Sequence, residues 1–586
     1  MHKILASPSL FVRVIAAVVV GLFLVTTRTG AQPAVSYEVA FVAERGDPRV
    51  CVQCVFTGLN TGAAFSIADF GEWTQVDSYY LRGFRAEPSL RRVGHEGGWE
   101  LTATPTGWDG SLHVSYSIPC IEHGSRAFES HGLLPWVVLD ESGAVAYAAV
   151  QLTNTLLRAE GMPAGATRTL TLRAPAEMPI VAGWSGDVAS GAVLPLSEPQ
   201  AVSGLVLFGR HRVARAVHDD QPREVYQFTR GDELAAEMLA LSSDLVARYG
   251  QSTGRPMDDP LRVFIVDKGG GQWTPHGVFV QGASRDEFAG PHFRHLVAHE
   301  LFHQWLGGYA KPADGSLVWF MEGFTEYQSL LDLVRGGRAS REWFAERLLE
   351  HDDVARKSPA LGKAFFGDAA LGWRDGNGPL ETLAYSGGAV LAFHIDAELH
   401  RRGKPRLARQ LGNLAAPGSE AYTRERIRSL MDAACVGDLF AAYIEKPALP
   451  DTLASLQTAG FERIDDDVAY LGIEIDSEGP LGTIVSIDPD GPAAASGLRA
   501  GDVVTGLWPC RTDRPRLSPL GASATRFRFG LTLAEPGAEA VNVAAIREGV
   551  ALDAVPIRPR RVAGWAYTVR ASPTAISWST FFGTQP

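Results

Sequence analysis

The stretch His299-Glu300-Leu301-Phe302-His303, followed after eighteen intervening residues by Glu322, constrains this chain more than anything else in it. On a helix, residues four apart stand one turn apart on one face. His299 and His303 can therefore offer two imidazoles to one metal ion with Glu300 beside them. Glu322 makes a three-ligand set that leaves the fourth tetrahedral position to water, the arrangement of a catalytic zinc site. A purely structural site has no use for a base at Glu300. The expectation is one catalytic Zn2+ ion and hydrolysis, of peptides first, with Glu300 taking the proton of the bound water.

The surroundings of the motif add roles. Glu322 stands in Val318-Trp319-Phe320-Met321-Glu322-Gly323-Phe324-Thr325-Glu326-Tyr327, where an acid among so many apolar neighbours is costly unless paired or bound to metal. Glu326 lies one turn further on and is placed to hydrogen-bond the outer nitrogen of a zinc histidine. The pattern predicts a metal-site helix from His292 to Leu306, ended by Gly307-Gly308, and a second helix that holds Glu322 and runs on to Val334, ended by Gly336-Gly337. His292 and His295 are expected to cap the first helix or face solvent, since a fourth protein ligand would close the water position. A developing oxyanion needs a donor besides the metal. Tyr385, at the start of a helix that opens Ser386-Gly387-Gly388-Ala389 and runs to His400, is the candidate.

The 586 residues are too many for one core and suggest about three to four domains. Lys3 and Arg13 precede an apolar run from Val14 to Val25, too short to span a bilayer, so residues 1–31 read as a secretory signal. The expectation is export to the periplasm or beyond, with no stable membrane insertion after cleavage. Those residues hold three basic groups and no acid, so the formal charge of −12 becomes −15 without them. Such a surface argues against nucleic acid as a partner. Residues 32–219 read as β-rich: Leu112, Val114, Tyr116 and Ile118 alternate with polar residues as in a half-buried strand. Residues 220–454 read as mainly helical with at least one strand at Leu261–Val266, and residues 455–586 as a small β-rich domain and tail. Of Cys51, Cys54, Cys120, Cys435 and Cys510, two of the first three are expected to form a disulfide, Cys120 being one end.

The motif, its spacing and the WFMEGFTEY context resemble the gluzincin metallopeptidases, most closely the M61 glycyl aminopeptidase family, with the M1 aminopeptidases as relatives. That resemblance implies a multidomain chain: a β-rich N-terminal domain, a mainly helical thermolysin-like (α+β) catalytic domain and a small C-terminal PDZ-like β domain. It implies that His299, His303 and Glu322 bind the metal, that Glu300 is the base, that Glu326 orients a ligand and that Tyr385 stabilises the transition state. Gly387 stands where the family more often has a basic residue. Tyr470-Leu471-Gly472-Ile473 is similar to the carboxylate-binding loop of a PDZ domain, which implies a peptide C-terminus as a partner there. The family usually carries a Gly-x-Met-Glu-Asn or Gly-Gly-x-Glu-His segment ahead of its metal motif. This edge strand lines the substrate, and its Glu holds the free amino terminus. The stretch from Trp273 to Gly282 is read as its equivalent, with Gly277, Val278, Phe279, Val280 and Gln281 against the substrate and no Glu among them.

Peptide or protein substrates follow from either of two readings. The resemblance favours an aminopeptidase; the missing Glu favours an endopeptidase, since Gln281 brings no charge to an ammonium. A peptide-binding, chaperone-like protein with a non-catalytic zinc site is the reading from another class, and hydrolysis of a different amide or ester is a further one.

Overall fold

The computed structural model describes residues 33–582 apart from 68–80, 102–107, 123–134, 198–203, 362–379, 477–482, 510–539, 572–580 and several stretches of four residues or fewer. The signal reading of residues 1–31 and Cys510 lie outside the described residues. Among those described, no helix is long and apolar enough to cross a membrane.

The chain divides into two compact units that part between Gly209 and Arg210. The first is built of strands. Ala34–Val42, Arg49–Thr57 and Leu112–Pro119 lie side by side in a six-stranded sheet, and Val145–Gln151 and Leu205–Gly209 are paired in a second. Every other residue of Leu112–Pro119 is buried, so Leu112, Val114, Tyr116 and Ile118 enter the core while His113 faces water. The cysteines depart from expectation, for none of Cys51, Cys54, Cys120 and Cys435 is bonded. The strand register explains this. Cys51 lies opposite Ser117 and Cys54 opposite Val114, while the Cys120 N–H bonds Pro48 O. Cys54 is packed in the core, which pushes its thiol up to about 12.

The second unit begins earlier than the expected boundary at 219/220. That position is the turn of a hairpin, Arg212–His218 with Gln221–Gln227, and the second strand runs parallel to Leu261–Val266 in the same sheet. The five strands are ordered Arg212–His218, Gln221–Gln227, Leu261–Val266, Gly277–Gln281, Gly271–Thr274. Leu261–Val266 is buried at every residue, as a central strand covered on both faces must be. Helix Ala235–Thr253 puts Met238, Leu241, Leu245 and Tyr249 into the core and stops at Gly254 in the left-handed conformation. The histidine helix Pro291–Phe302, the glutamate helix Val318–Arg335, and Arg341–Lys357 and Gly388–Arg401 share that core.

A buried charge cluster holds two of these helices together. Asp396 of Gly388–Arg401 accepts from Arg406 Nε and the Leu407 N–H, each at 2.8 Å, and from the Tyr327 hydroxyl of the glutamate helix. Burial opposes charge on Asp396, but Arg406 outweighs it and holds the carboxyl below the usual range. With a depressed folded pKa, this stabilisation is complete above the ordinary aspartate value and disappears as pH falls through the folded one. Replacing Asp396 by Ala leaves Arg406 and Tyr327 without their acceptor. The expected loss at neutral pH is about 3–5 kcal/mol, measured by urea unfolding.

Residues beyond 455 form further sheets. Phe461–Tyr470 pairs with Arg560–Ala571, and Ile473–Asp476, Thr483–Ile487, Val503–Pro509 and Val541–Arg547 follow one another in a six-stranded sheet. Leu471, Ile473, Ile484, Val504 and Val543 make its small core. The tail differs from a separate terminal domain, because Phe581 and Phe582 return to the helical core. There they meet Phe393 and Phe344, and Arg406 stacks 4.1 Å above Phe581.

Candidate metal centre and active site

The histidine helix ends sooner than its hydrophobic pattern suggests. It closes at Phe302, and His303 already occupies the cap, where the chain tightens into i→i+3 bonds such as Gln304 N–H to Leu301 O. His303 keeps a near-helical backbone, so it still projects beside His299, with ring centroids 4.8 Å apart. The glutamate helix brings Glu322 to the same point. His299 Nε2 and His303 Nε2 lie 3.3 and 3.2 Å from Glu322 Oε2, and 3.1 Å from each other.

The outer nitrogens of both rings are engaged. His299 Nδ1 is 2.8 Å from Glu326 Oε2 and His303 Nδ1 is 3.1 Å from Leu306 O. Each of those contacts is satisfied by a proton on Nδ1, which leaves both Nε2 atoms as acceptors. Three acceptors thus converge in a buried pocket, a set that needs a cation, either a metal ion or a proton, among them. Burial opposes charge on His299, but hydrogen bonds to Glu322 and Glu326 outweigh it and raise its pKa well above the ordinary value, a proton standing in for the metal. Burial likewise opposes charge on Glu322, and His303 and His299 overcome it, holding the carboxyl far below its usual range. Among the described residues, His299, His303 and Glu322 are the one group placed to share a metal ion. The donor set, two imidazoles and one carboxylate, fits a divalent transition metal.

Glu300 is buried beside this pocket, and burial pushes its carboxyl upward against the pull of the two histidines. The backbone N–H of Trp273 hydrogen-bonds it. Gly271 is the reason the strand can come so near. A Cβ at that position would lie 2.6 Å from Glu300 Oε1 and 2.7 Å from its Cγ. The strand against the site is therefore Gly271–Thr274, at the edge of the five-stranded sheet, and this corrects the assignment of Gly277–Gln281. Gly277, Val278, Phe279, Val280 and Gln281 form an interior strand, paired with Leu261–Val266 on one side and Gly271–Thr274 on the other, so their strand has no edge to offer a substrate. The missed signal was the glycine run Gly269-Gly270-Gly271. In that register Gln272 stands where the Gly-Gly-x-Glu-His pattern has its Glu.

Tyr385 lies in a π-helical turn, Leu383–Gly387, ahead of helix Gly388–Arg401. Its ring is half-buried and nearly parallel to the His299 imidazole, 15° apart in plane with centroids separated by 6.3 Å. A close crossing of two glycines permits this. A Cβ at Gly323 would meet Gly388 Cα at 2.4 Å, and one at Gly388 would meet Trp319 O at 2.5 Å. His295, expected at the surface, is buried against Trp343, and burial lowers its pKa to about 4. Sequence reasoning also passed over His351, which arrives from helix Arg341–Lys357, 2.9 Å from Glu326 Oε1. Tyr470 ends the strand paired with Arg560–Ala571, Ile473 begins the edge strand of the six-stranded sheet, and Leu471 and Gly472 link the two. Leu471 is buried, its carbonyl accepts from the Ala493 N–H, and Gly472 takes the left-handed conformation, 2.9 Å from Gly491 at its would-be Cβ.

The site is one that can hold a metal ion between two imidazoles and a carboxylate, with a buried glutamate alongside. Residues 292–365, the segment carrying the metal motif, match the sequence model of the M61 glycyl aminopeptidase family, and the protein is an enzyme of the peptidase class. In structure the chain is similar to an aminopeptidase N family protein from Idiomarina loihiensis, with a TM-score of 0.68 and 14% identity over 94% of this chain and 100% of that one. An M1 zinc metallopeptidase from Deinococcus radiodurans aligns over 72% of this chain and 95% of its own, with 16% identity and a TM-score of 0.43. No curated protein sequence matches the chain.

Proposed function

We propose that the protein is an exported, zinc-dependent peptidase that hydrolyses peptide bonds at His299, His303 and Glu322, with aminopeptidase action as its leading specificity. One observation carries the reading: three acceptor atoms from two helices converge within 3.3 Å of one another, with an ionisable, buried Glu300 alongside. A zinc ion held there would lower the pKa of a bound water and polarise the scissile carbonyl. Glu300 accepts the water proton and delivers it to the leaving nitrogen, and its raised pKa suits a base that must also act as an acid. The Trp273 N–H and the close backbone at Gly271 hold that carboxylate in place. Tyr385 hydrogen-bonds the developing oxyanion through its phenolic O–H and keeps its proton. The edge strand Gly271–Thr274 gives a substrate backbone something to pair with.

The M61 match supports the aminopeptidase reading. A second reading, endopeptidase, is favoured by the edge strand itself, which is Gly-Gln-Trp-Thr and holds no carboxylate for a substrate ammonium. Matched peptides with free and acetylated amino termini separate the two when cleavage sites are read by mass spectrometry. An aminopeptidase removes residues from the free peptides alone, and internal cuts in the acetylated ones would reject that specificity. Purified protein should hold about one zinc per chain, and peptide binding without metal would favour the chaperone-like reading. The apolar run near the amino terminus supports export. The loop at Tyr470–Ile473 and the sheet-edge strand Ile473–Asp476 support a PDZ-like role in holding a peptide C-terminus.

A further inference from the structure

His351 takes no part in the chemistry above, yet it is 8% exposed and touches both halves of the site. Its Nε2 lies 2.9 Å from Glu326 Oε1, within ion-pair distance but without hydrogen-bond geometry, and its Nδ1 is 3.1 Å from Ser386 Oγ. The other oxygen of Glu326 faces His299 Nδ1 at 2.8 Å. Ser386 directly follows Tyr385 in the π-helical turn. One proton arrangement serves all of these contacts: the Ser386 hydroxyl donates to His351 Nδ1, and His351 Nε2–H and His299 Nδ1–H each face one oxygen of Glu326.

We infer that His351 is a positioning residue that ties the carboxylate orienting His299 to the turn carrying Tyr385, so that one buried network sets the metal-binding imidazole and the oxyanion donor together. The inference rests on the zinc-peptidase reading. Two physical arguments support it. Glu326 is buried, and without His351 its Oε1 loses its nearest donor. The neighbouring His295 Nε2 is 3.5 Å from Oε2, too far for a hydrogen bond and on the wrong oxygen to replace it. The Tyr385 turn departs from the regular α-helical hydrogen-bond ladder, so a lateral bond at Ser386 restrains a segment that the ladder restrains less well.

The test compares wild type with His351→Phe, which keeps a ring and removes both nitrogens, and His351→Gln, which keeps a donor toward Glu326. Chelator competition should show zinc affinity about tenfold weaker in His351→Phe and largely recovered in His351→Gln. On zinc-saturated protein, kcat should fall by about tenfold or more in His351→Phe with KM changed by less than about twofold. In a Tyr385→Phe background the same substitution should lower kcat by less than about twofold, because the group it positions is already gone. Zinc affinity equal to wild type, or a kcat loss undiminished in the Tyr385→Phe background, would overturn the inference. If His351→Phe does not fold, His351→Asn carries the same measurements. If wild type cleaves no peptide, the proposed function fails, and zinc competition alone then decides His351: unchanged affinity refutes it, and a loss recovered by Gln supports it.

Discussion

Glu300→Gln is expected to lower peptide turnover by about 10²–10⁴-fold while leaving the metal content unchanged. Gln has the same shape, so the packing against Gly271 survives and the Trp273 N–H still finds an oxygen. The amide cannot take up a proton, which is the one capacity the mechanism requires. Because Glu300 is not among the three converging acceptors, zinc measured by plasma emission should stay near one ion per chain. A variant that loses its metal would make Glu300 a ligand, and one that keeps wild-type turnover would remove it from the chemistry. The pairing of lost activity with retained metal separates this prediction from simple misfolding.

Tyr385→Phe is expected to lower kcat by about 10²–10³-fold with little change in KM. The reasoning is differential: the phenol meets a charge that exists only as the carbonyl becomes an oxyanion, so its loss is felt in the transition state and hardly in substrate binding. The ring itself remains beside His299, and Phe preserves that contact. An equal rise in KM with kcat unchanged would assign Tyr385 to substrate binding. Steady-state kinetics on a single peptide distinguishes the outcomes.

Much of this site was legible along the chain because helical spacing is a local property. His299 and His303 meet by being four apart, and Glu322 and Glu326 share a face for the same reason. The alternation at Leu112–Ile118 and the helical repeat from Met238 to Tyr249 are likewise written in local periodicity, and both are seen in the burial of those residues. The edge strand was misplaced by one because Gly271–Thr274 and Gly277–Gln281 are both short strands of one hairpin. Only pairing with Leu261–Val266 tells which is interior. The tail was misjudged because Phe581 and Phe582 carry no periodicity, and their burial depends on Phe393 and Phe344, 188 and 238 positions earlier in the chain.

The sequence by itself determined which residues are candidates for the ligand set and the base of the proposed site, since residue type and the one-turn spacing of His299 and His303 single them out. It also determined that no carboxylate stands in the edge segment, wherever that segment lies. Tertiary structure alone decided that His351 and Ser386 join Glu326, that Gly271 lets a backbone N–H reach Glu300, and that Gly323 and Gly388 cross closely enough to bring Tyr385 beside His299. The physical reason is separation. These contacts link residues 25 to 86 positions apart, and no local periodicity encodes which helix will pack across which, or which side chains will be buried together when it does.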